Sequence, residues 1–392
     1  MDYQRAVCGR VRAVPPSGIR KFFDIASEME GAISLGVGEP DFTTPWAYTD
    51  AAIYSMRQGH THYTSNWGLL ALREAIAEYE HSRFGAAYSP KNEVLVTVGA
   101  SEGIDLALRA LIEPGDEVIA PDPTYVSYVP GIVFAGGTCV KLPTLAGDHF
   151  CMTPEAVKAA ITPKTKALIF PYPNNPTGSI MGEAQMLAIA EVLRGTNIVV
   201  IADEIYAELT YGGHKHVAFA SLPGMWERTI TLNGFSKAFA MTGWRLGYAC
   251  GPKQLLEPMV KIHQYTMMCA PNAAQYAALE ALTIGAQTDY EDIQRMVRVY
   301  DRRRRLVVEG CNAMGLPCHE PLGAFYAFPS IAHTGMSSQQ FATLLLEKTK
   351  VAAVPGDAFG EGGEGHLRIS YATATEKLAE ALERIQGFMR TL

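Results

Sequence analysis

Thr229-Ile230-Thr231-Leu232-Asn233-Gly234-Phe235-Ser236-Lys237 is the stretch that decides the fold. Its first four residues are β-branched or apolar and read as a short strand covered on both faces, after which the chain runs to a serine and a lysine. The same pattern recurs on either side. Further strand candidates are Glu93 to Val98, Glu117 to Ala120, Thr138 to Leu142, Ala167 to Phe170, Ile198 to Ala202 and Arg245 to Cys250. Helical patterns lie between them, such as Ser101 to Leu111 and Glu183 to Leu193. Short apolar strands alternating with helices predict an α/β fold with a doubly wound, mostly parallel sheet.

In such sheets ligands sit outside the carboxyl ends of the strands. The residues just past those ends are Gly99-Ala100-Ser101, Tyr125, Asn174-Asn175-Pro176, Asp203 and Ser236-Lys237. Nearly every polar candidate therefore falls on one edge. A lysine in an apolar pocket has a lowered pKa and can act as a nucleophile near neutral pH. Arg245, eight residues on, carries a planar fork of donors that suits a phosphate. The pair fits a covalent aldehyde carrier that also bears a phosphate, namely pyridoxal 5'-phosphate (PLP) held as a Schiff base.

The other candidates extend that chemistry. Asp203 would keep a pyridine nitrogen protonated and so maintain an electron sink, although a helix cap would explain it as well. Tyr206 could donate to the ring's phenolic oxygen. Small residues at Val98-Gly99-Ala100-Ser101 let backbone amides approach an anion at a helix start expected near Glu102, and Ser236 and Arg245 would add donors. Tyr125 could stack on a flat cofactor or pack in the core. The amides of Asn174-Asn175 could reach the ring oxygen or a substrate carboxylate. Arg368, in a strand-like alternation, is costly to bury unless it meets an anion; an amino acid's carboxylate or a structural ion pair would serve.

Beyond residue 284 strict alternation stops. A long helix from about Tyr290 to Met314, strands Phe325 to Pro329, Val351 to Pro355 and Leu367 to Tyr371, the helix Ser338 to Lys348 and a last helix suggest an α+β small domain. The expected division is 1–44 as an N-terminal arm and part of the small domain, 45–283 as a large domain and 284–392 as the small domain. Pro15-Pro16 and an amphipathic stretch to Met29 read as an arm or small-domain helix. Arg302 to Arg305 read as the solvated face of a helix.

A formal charge of −7 argues against a nucleic-acid partner. The seven cysteines are odd in number and lack a Cys-x-x-Cys pair, which speaks against a disulfide framework or a zinc ribbon, and no metal is expected. The start contains no apolar run of signal-peptide length and no stretch of membrane-spanning length, so a cytoplasmic protein is expected.

Taken in order, Leu35-Gly36-Val37-Gly38-Glu39-Pro40-Asp41-Phe42, Asn174 to Gly178, Asp203 to Tyr206, Ser236 to Arg245 and Arg368 resemble the fold-type I PLP enzymes, specifically the class I and II aminotransferases. The resemblance implies a seven-stranded large domain. It also implies that Lys237 is the Schiff-base lysine and proton shuttle, Asp203 the ring-nitrogen partner, and Tyr206 and Asn175 the ring-oxygen donors. Tyr125 becomes the stacking ring, Ala100, Ser101, Ser236 and Arg245 the phosphate site, and Arg368 with the Gly38 backbone the carboxylate clamp. Tyr63 matches a tyrosine that reaches the phosphate of the neighbouring subunit, which implies a homodimer with shared sites. Val14-Pro15-Pro16-Ser17-Gly18-Ile19-Arg20 resembles the arm of the branch holding aspartate, aromatic and N-acetyl-diaminopimelate aminotransferases. Ser101 stands where some aspartate-preferring relatives carry lysine. The implied activity moves the amino group of an L-amino acid to a 2-oxo acid. A carbon-sulfur β-lyase is the nearest alternative. A PLP-binding regulator would need a DNA-binding domain ahead of residue 33.

Overall fold

The computed structural model describes residues 1, 3–16 and 29–392. Its strands, in chain order, are β1 (Ile33–Ser34), β2 (Val94–Thr97), β3 (Glu117–Asp122), β4 (Thr138–Pro143), β5 (Thr165–Phe170), β6 (Val199–Asp203), β7 (Thr229–Gly234), β8 (Gly247–Cys250), β9 (Tyr326–Ala327), β10 (Val351–Ala352), β11 (Val354–Pro355) and β12 (Leu367–Ser370). Seven of them form one sheet in the order β2-β8-β7-β6-β5-β3-β4. Only β8 runs antiparallel to its neighbours; the other pairings are parallel. The apolar runs are explained by cover on both faces. Leu95, Ile169, Ile201 and Ile230 pack with Ile104 and Leu108 of the helix Gly99–Leu111, and with Leu256 and Met259 of the helix Lys253–Thr266. Their neighbours Leu168, Phe170, Val200 and Ala202 turn the other way, onto Met186, Ile189 and Leu193 of the helix Glu183–Leu193.

The remaining strands make two small sheets, β11-β12-β9 and β1-β10. A further core joins Ile33 and Leu35 to Tyr300, Phe325, Leu345, Ile369 and Leu382, and takes in Tyr206, Leu209 and Tyr211 from beyond the large sheet. Two short helices, Tyr3–Ala6 and Gly9–Ala13, precede it, and Arg10 Nη1 donates to Phe134 O at 3.2 Å. Of the stretch read as an arm or helix up to Met29, residues 17–28 lie outside the described residues.

Three expectations change. Arg245 does not open β8, which starts at Gly247; it sits in a left-handed turn (φ 52°) after the short helical turn Thr242–Trp244. The chain reverses there to lay β8 antiparallel between β2 and β7, and that reversal takes Arg245 out of the ladder. The single strand expected at Val351 to Pro355 is two, because Val351–Ala352 pairs in parallel with β1 while Val354–Pro355 pairs antiparallel with β12. The basic block is not wholly solvated: Arg303 and Arg304 are buried within the helix Glu291–Ala313. Four consecutive helical residues sweep around the whole circumference, so part of the block must face inward. Arg303 meets Asp41, and Arg304 meets Asp301 and Glu320.

Candidate active site

A cavity of about 470 Å³ opens at the carboxyl edge of the large sheet, and every residue given a role by the resemblance except Tyr63 lines it; of the two adjacent amides Asn175 does and Asn174, fully buried, does not. Tyr63 is 81% exposed, outside the cavity. Lys237 projects from the loop after β7, and its Nζ donates to Gly38 O at 2.5 Å. Burial, helped by the nearby Arg368 and opposed by Glu39, holds its amine down to about 8. At that value roughly a tenth of the amine is uncharged at pH 7 and about half at pH 8, against almost none for an ordinary lysine.

Asp203 ends β6 and is buried. Its Oδ2 accepts from Tyr128 Oη at 2.7 Å and its Oδ1 from the Ile205 backbone N–H at 3.3 Å. Burial raises the carboxyl's pKa and these two donors pull it back. No helix follows Asp203, so the helix-cap alternative finds no helix to cap. Tyr125 meets Tyr128 edge to face with centroids 5.5 Å apart, beside the same carboxylate.

Where β2 ends, Gly99 adopts φ 76° and the helix opens there rather than near Glu102, placing Ala100 and Ser101 in its first turn. Arg245 lies against this turn: a β-carbon at Gly99 would come within 2.7 Å of its Nη2. Only glycine leaves room for the guanidinium, whose Nη1 donates to Thr242 O at 3.0 Å. Free helix amides and a forked cation thus converge with Ser236 on one corner, which suits a phosphate.

Arg368 is buried on β12. Its Nη1 donates to Asn175 Oδ1 at 2.9 Å and its Nη2 to Gly36 O at 2.5 Å, while Nε has no partner among the described residues. The guanidinium carbon lies 4.4 Å from the Tyr326 ring centroid and 4.7 Å from that of Phe359. Both acceptors are neutral. A buried guanidinium that meets neutral acceptors among the described residues has the donor geometry to take a carboxylate.

Sequence reasoning missed Tyr128, Tyr326, Glu39 and Thr242. Tyr128 is the third residue after Tyr125, on a helix whose bond to Asp203 spans 75 positions. Tyr326 stands next to Phe325 in the segment read as a strand, a signal that could have marked it; its Oη lies 2.9 Å from Tyr206 Oη. Glu39 Oε2 accepts from Thr242 Oγ1 at 3.0 Å across the cavity mouth. Among the described residues no cluster of three or more His, Cys, Asp or Glu could hold a metal.

The family model for aminotransferases of class I and II matches residues 30–385. The chain belongs to that family. Over 97% of its length this aminotransferase is 54% identical to Bacillus subtilis (strain 168) YugH, whose name marks it as an aminotransferase and which is covered to 97%. It is 46% identical to the aspartate aminotransferase of Pyrococcus abyssi, with 98% of each chain covered. A solved aromatic aminotransferase from Pyrococcus horikoshii superposes with a TM-score of 0.90 at 44% identity, covering 94% of this chain and 99% of that one. The fold is accordingly that of the fold-type I enzymes, and the aminotransferase is PLP-dependent. Its reaction is amino-group transfer, and β-elimination is not favoured. No helix among the described residues is long and apolar enough to cross a membrane.

Proposed function

We propose that this aminotransferase binds PLP with its phosphate at Ala100, Ser101, Ser236 and Arg245, its ring nitrogen at Asp203, its ring oxygen at Tyr206 and Asn175, and its face on Tyr125. When bound, PLP supplies the electron sink that makes the amino acid's α-proton removable. Lys237 would hold the cofactor through its amine, and that amine, when free and uncharged, would serve as the base that takes the substrate's α-proton and gives it back. Arg368 holds the substrate carboxylate with the Gly38 backbone, and the amino group passes to a 2-oxo acid. One observation carries this reading: an amine held near 8 and a buried guanidinium that, among the described residues, bonds only neutral acceptors face the same cavity.

The cations lining the cavity are Lys237, Arg245 and Arg368, and each has a task in this scheme. Glu39 adds negative charge, while Ile104, Ile205, Pro171, Pro173 and several tyrosines make the rest of the wall apolar. Within one chain this favours a neutral or aromatic amino donor over aspartate. Comparing kcat/KM for phenylalanine, tyrosine and aspartate, with 2-oxoglutarate as acceptor, tests it; a clear preference for aspartate would refute it.

The domain division 1–44, 45–283 and 284–392 is part of the proposal. So is a cytoplasmic homodimer. Tyr63, Trp46, Tyr265 and Met267 are large side chains left 47% or more exposed. Asn66 Nδ2 donates to Met268 O at 3.0 Å and Asn272 Nδ2 to His60 O at 3.2 Å, which joins two of these segments into one surface. A second copy covering that surface would bring Tyr63 to its neighbour's phosphate corner. Mixed dimers of inactive Lys237→Ala and Tyr63→Ala chains should then regain activity, whereas a monomer in sedimentation would end the idea.

A further inference from the structure

Tyr326 stands where the two ends of the cavity meet. It lies on β9, paired with β12 through Ser370, one strand across from Arg368. Its ring centroid is 4.4 Å from the Arg368 guanidinium carbon, and its hydroxyl is 2.9 Å from that of Tyr206. The Gly38 loop passes directly over it, since a β-carbon at Gly38 would fall 2.6 Å from the Tyr326 hydroxyl. The side chain is 1% exposed. Its only hydroxyl partner among the described hydrogen bonds is Tyr206.

Two phenols hold two hydrogens, and one of them lies in the shared bond. Burial keeps both phenols above the usual tyrosine range, so neither ionises near neutral pH. If Tyr206 gave its hydrogen to Tyr326, it would have none to offer a ligand. If Tyr326 donates, Tyr206 keeps its hydrogen and becomes a stronger donor, because accepting one bond polarises the hydroxyl for the next. We propose that Tyr326 is a positioning residue joining the two ends of the site: its hydroxyl donates to Tyr206 and so commits the Tyr206 hydrogen to the cofactor's ring oxygen, while its ring fixes the plane of the Arg368 guanidinium. This rests on the reading of Tyr206 as a ring-oxygen donor.

The two parts of the side chain act separately, so two substitutions divide them. A donor aimed at the anionic ring oxygen favours the form in which the neighbouring linkage nitrogen has lost its proton; weakening that donor raises the pH at which the visible band changes. The PLP-loaded protein is titrated spectrophotometrically as wild type, Tyr206→Phe, Tyr326→Phe and Tyr326→Leu, with a melting curve for each. The bleaching of the band is then followed against amino-acid concentration. Tyr206→Phe should raise the midpoint. Tyr326→Phe should raise it by about 0.5 to 1 pH unit and leave the amino-acid dependence nearly unchanged, because the ring remains. Tyr326→Leu should raise the midpoint similarly and also require roughly 2- to 30-fold more amino acid, because the cation–π contact is gone. A midpoint that moves for Tyr206→Phe and stays for Tyr326→Phe overturns the role of Tyr326 alone. A midpoint that stays for Tyr206→Phe removes the reading of Tyr206 and this inference with it. A higher amino-acid requirement for Tyr326→Phe at an unmoved midpoint would show the hydroxyl meeting substrate instead.

Discussion

Arg303 and Arg368 are both buried arginines, yet they are held in opposite ways. Arg303 has a carboxylate: Nη1 and Nη2 donate to the two oxygens of Asp41 at 2.8 and 2.9 Å, and Nε reaches Thr375 Oγ1 at 3.3 Å. Arg368 has a side-chain amide, a backbone carbonyl and an unpartnered Nε. The first fork is filled by a carboxylate; the second, among the described residues, meets only neutral acceptors. The lysines divide the same way. Lys141 is paired with Glu361 at 2.8 Å on the surface, whereas Lys237 is enclosed and, among the described residues, has only the Gly38 carbonyl to accept from it. A cation left with neutral acceptors inside a cavity is the mark of a binding group, and one with a carboxylate is the mark of a fastening.

The strongest break of this contrast is Lys237→Ala. It should abolish turnover and the visible band of the PLP-supplied protein, and borohydride reduction of wild type should label Lys237; a band persisting in the variant would refute the assignment. Asp203→Ala should come next, cutting turnover far more than PLP content, because the phosphate contacts survive the loss. Equal kinetics would leave Asp203 as no more than the acceptor of Tyr128. Arg368→Lys should keep fold and PLP absorbance while losing about 2 to 5 kcal/mol of transition-state stabilisation, roughly 30-fold or more in kcat/KM, since an ammonium cannot make the two-point contact. Arg303→Lys should show the reverse, a Tm lowered by a few degrees with near-normal amino-acid dependence. If the two variants behaved alike, the contrast would be void.

The smallest effect sharpens the contrast through pH. Burial depresses the Lys237 amine from 10.5 to about 8, so the nucleophilic, uncharged form is lost as pH falls through 8. PLP capture by the cofactor-free protein should therefore accelerate with a midpoint near pH 8. A midpoint near 10 in stopped-flow absorbance would mean that the amine is more open to water than its surroundings indicate.

The sheet was legible because strands buried on both faces spell themselves as unbroken apolar runs, and the strand-end rule then collected Asp203, Asn175, Ser236 and Lys237 without any contact being known. Arg245 was found as a residue but misplaced as structure: a left-handed turn at a non-glycine position carries no compositional signal, while the glycine that makes room for it is 146 positions away. Tyr128 and Tyr326 escaped for a related reason, since a tyrosine's partner is set by tertiary packing and its own neighbourhood looks like core. Arg303 was misread because charge runs are judged by composition, and which members of a helical run face inward depends on a carboxylate at position 41.

The pairing of Ile33 with Val351 orders events in time. During synthesis the early strand leaves the ribosome with its partner still unmade. The large sheet, whose strands lie between residues 94 and 250, can be assembled before that partner appears. Ile33 and Leu35, buried in the finished protein, must wait in water or in a chaperone until residues beyond 350 arrive. Closing so long a loop costs little more than closing one half its length, because the entropy grows only with the logarithm of length. The delay is therefore one of translation more than of search. Arg368 lies still further along, and its bond to the Gly36 carbonyl likewise waits for the late segment to meet the early one.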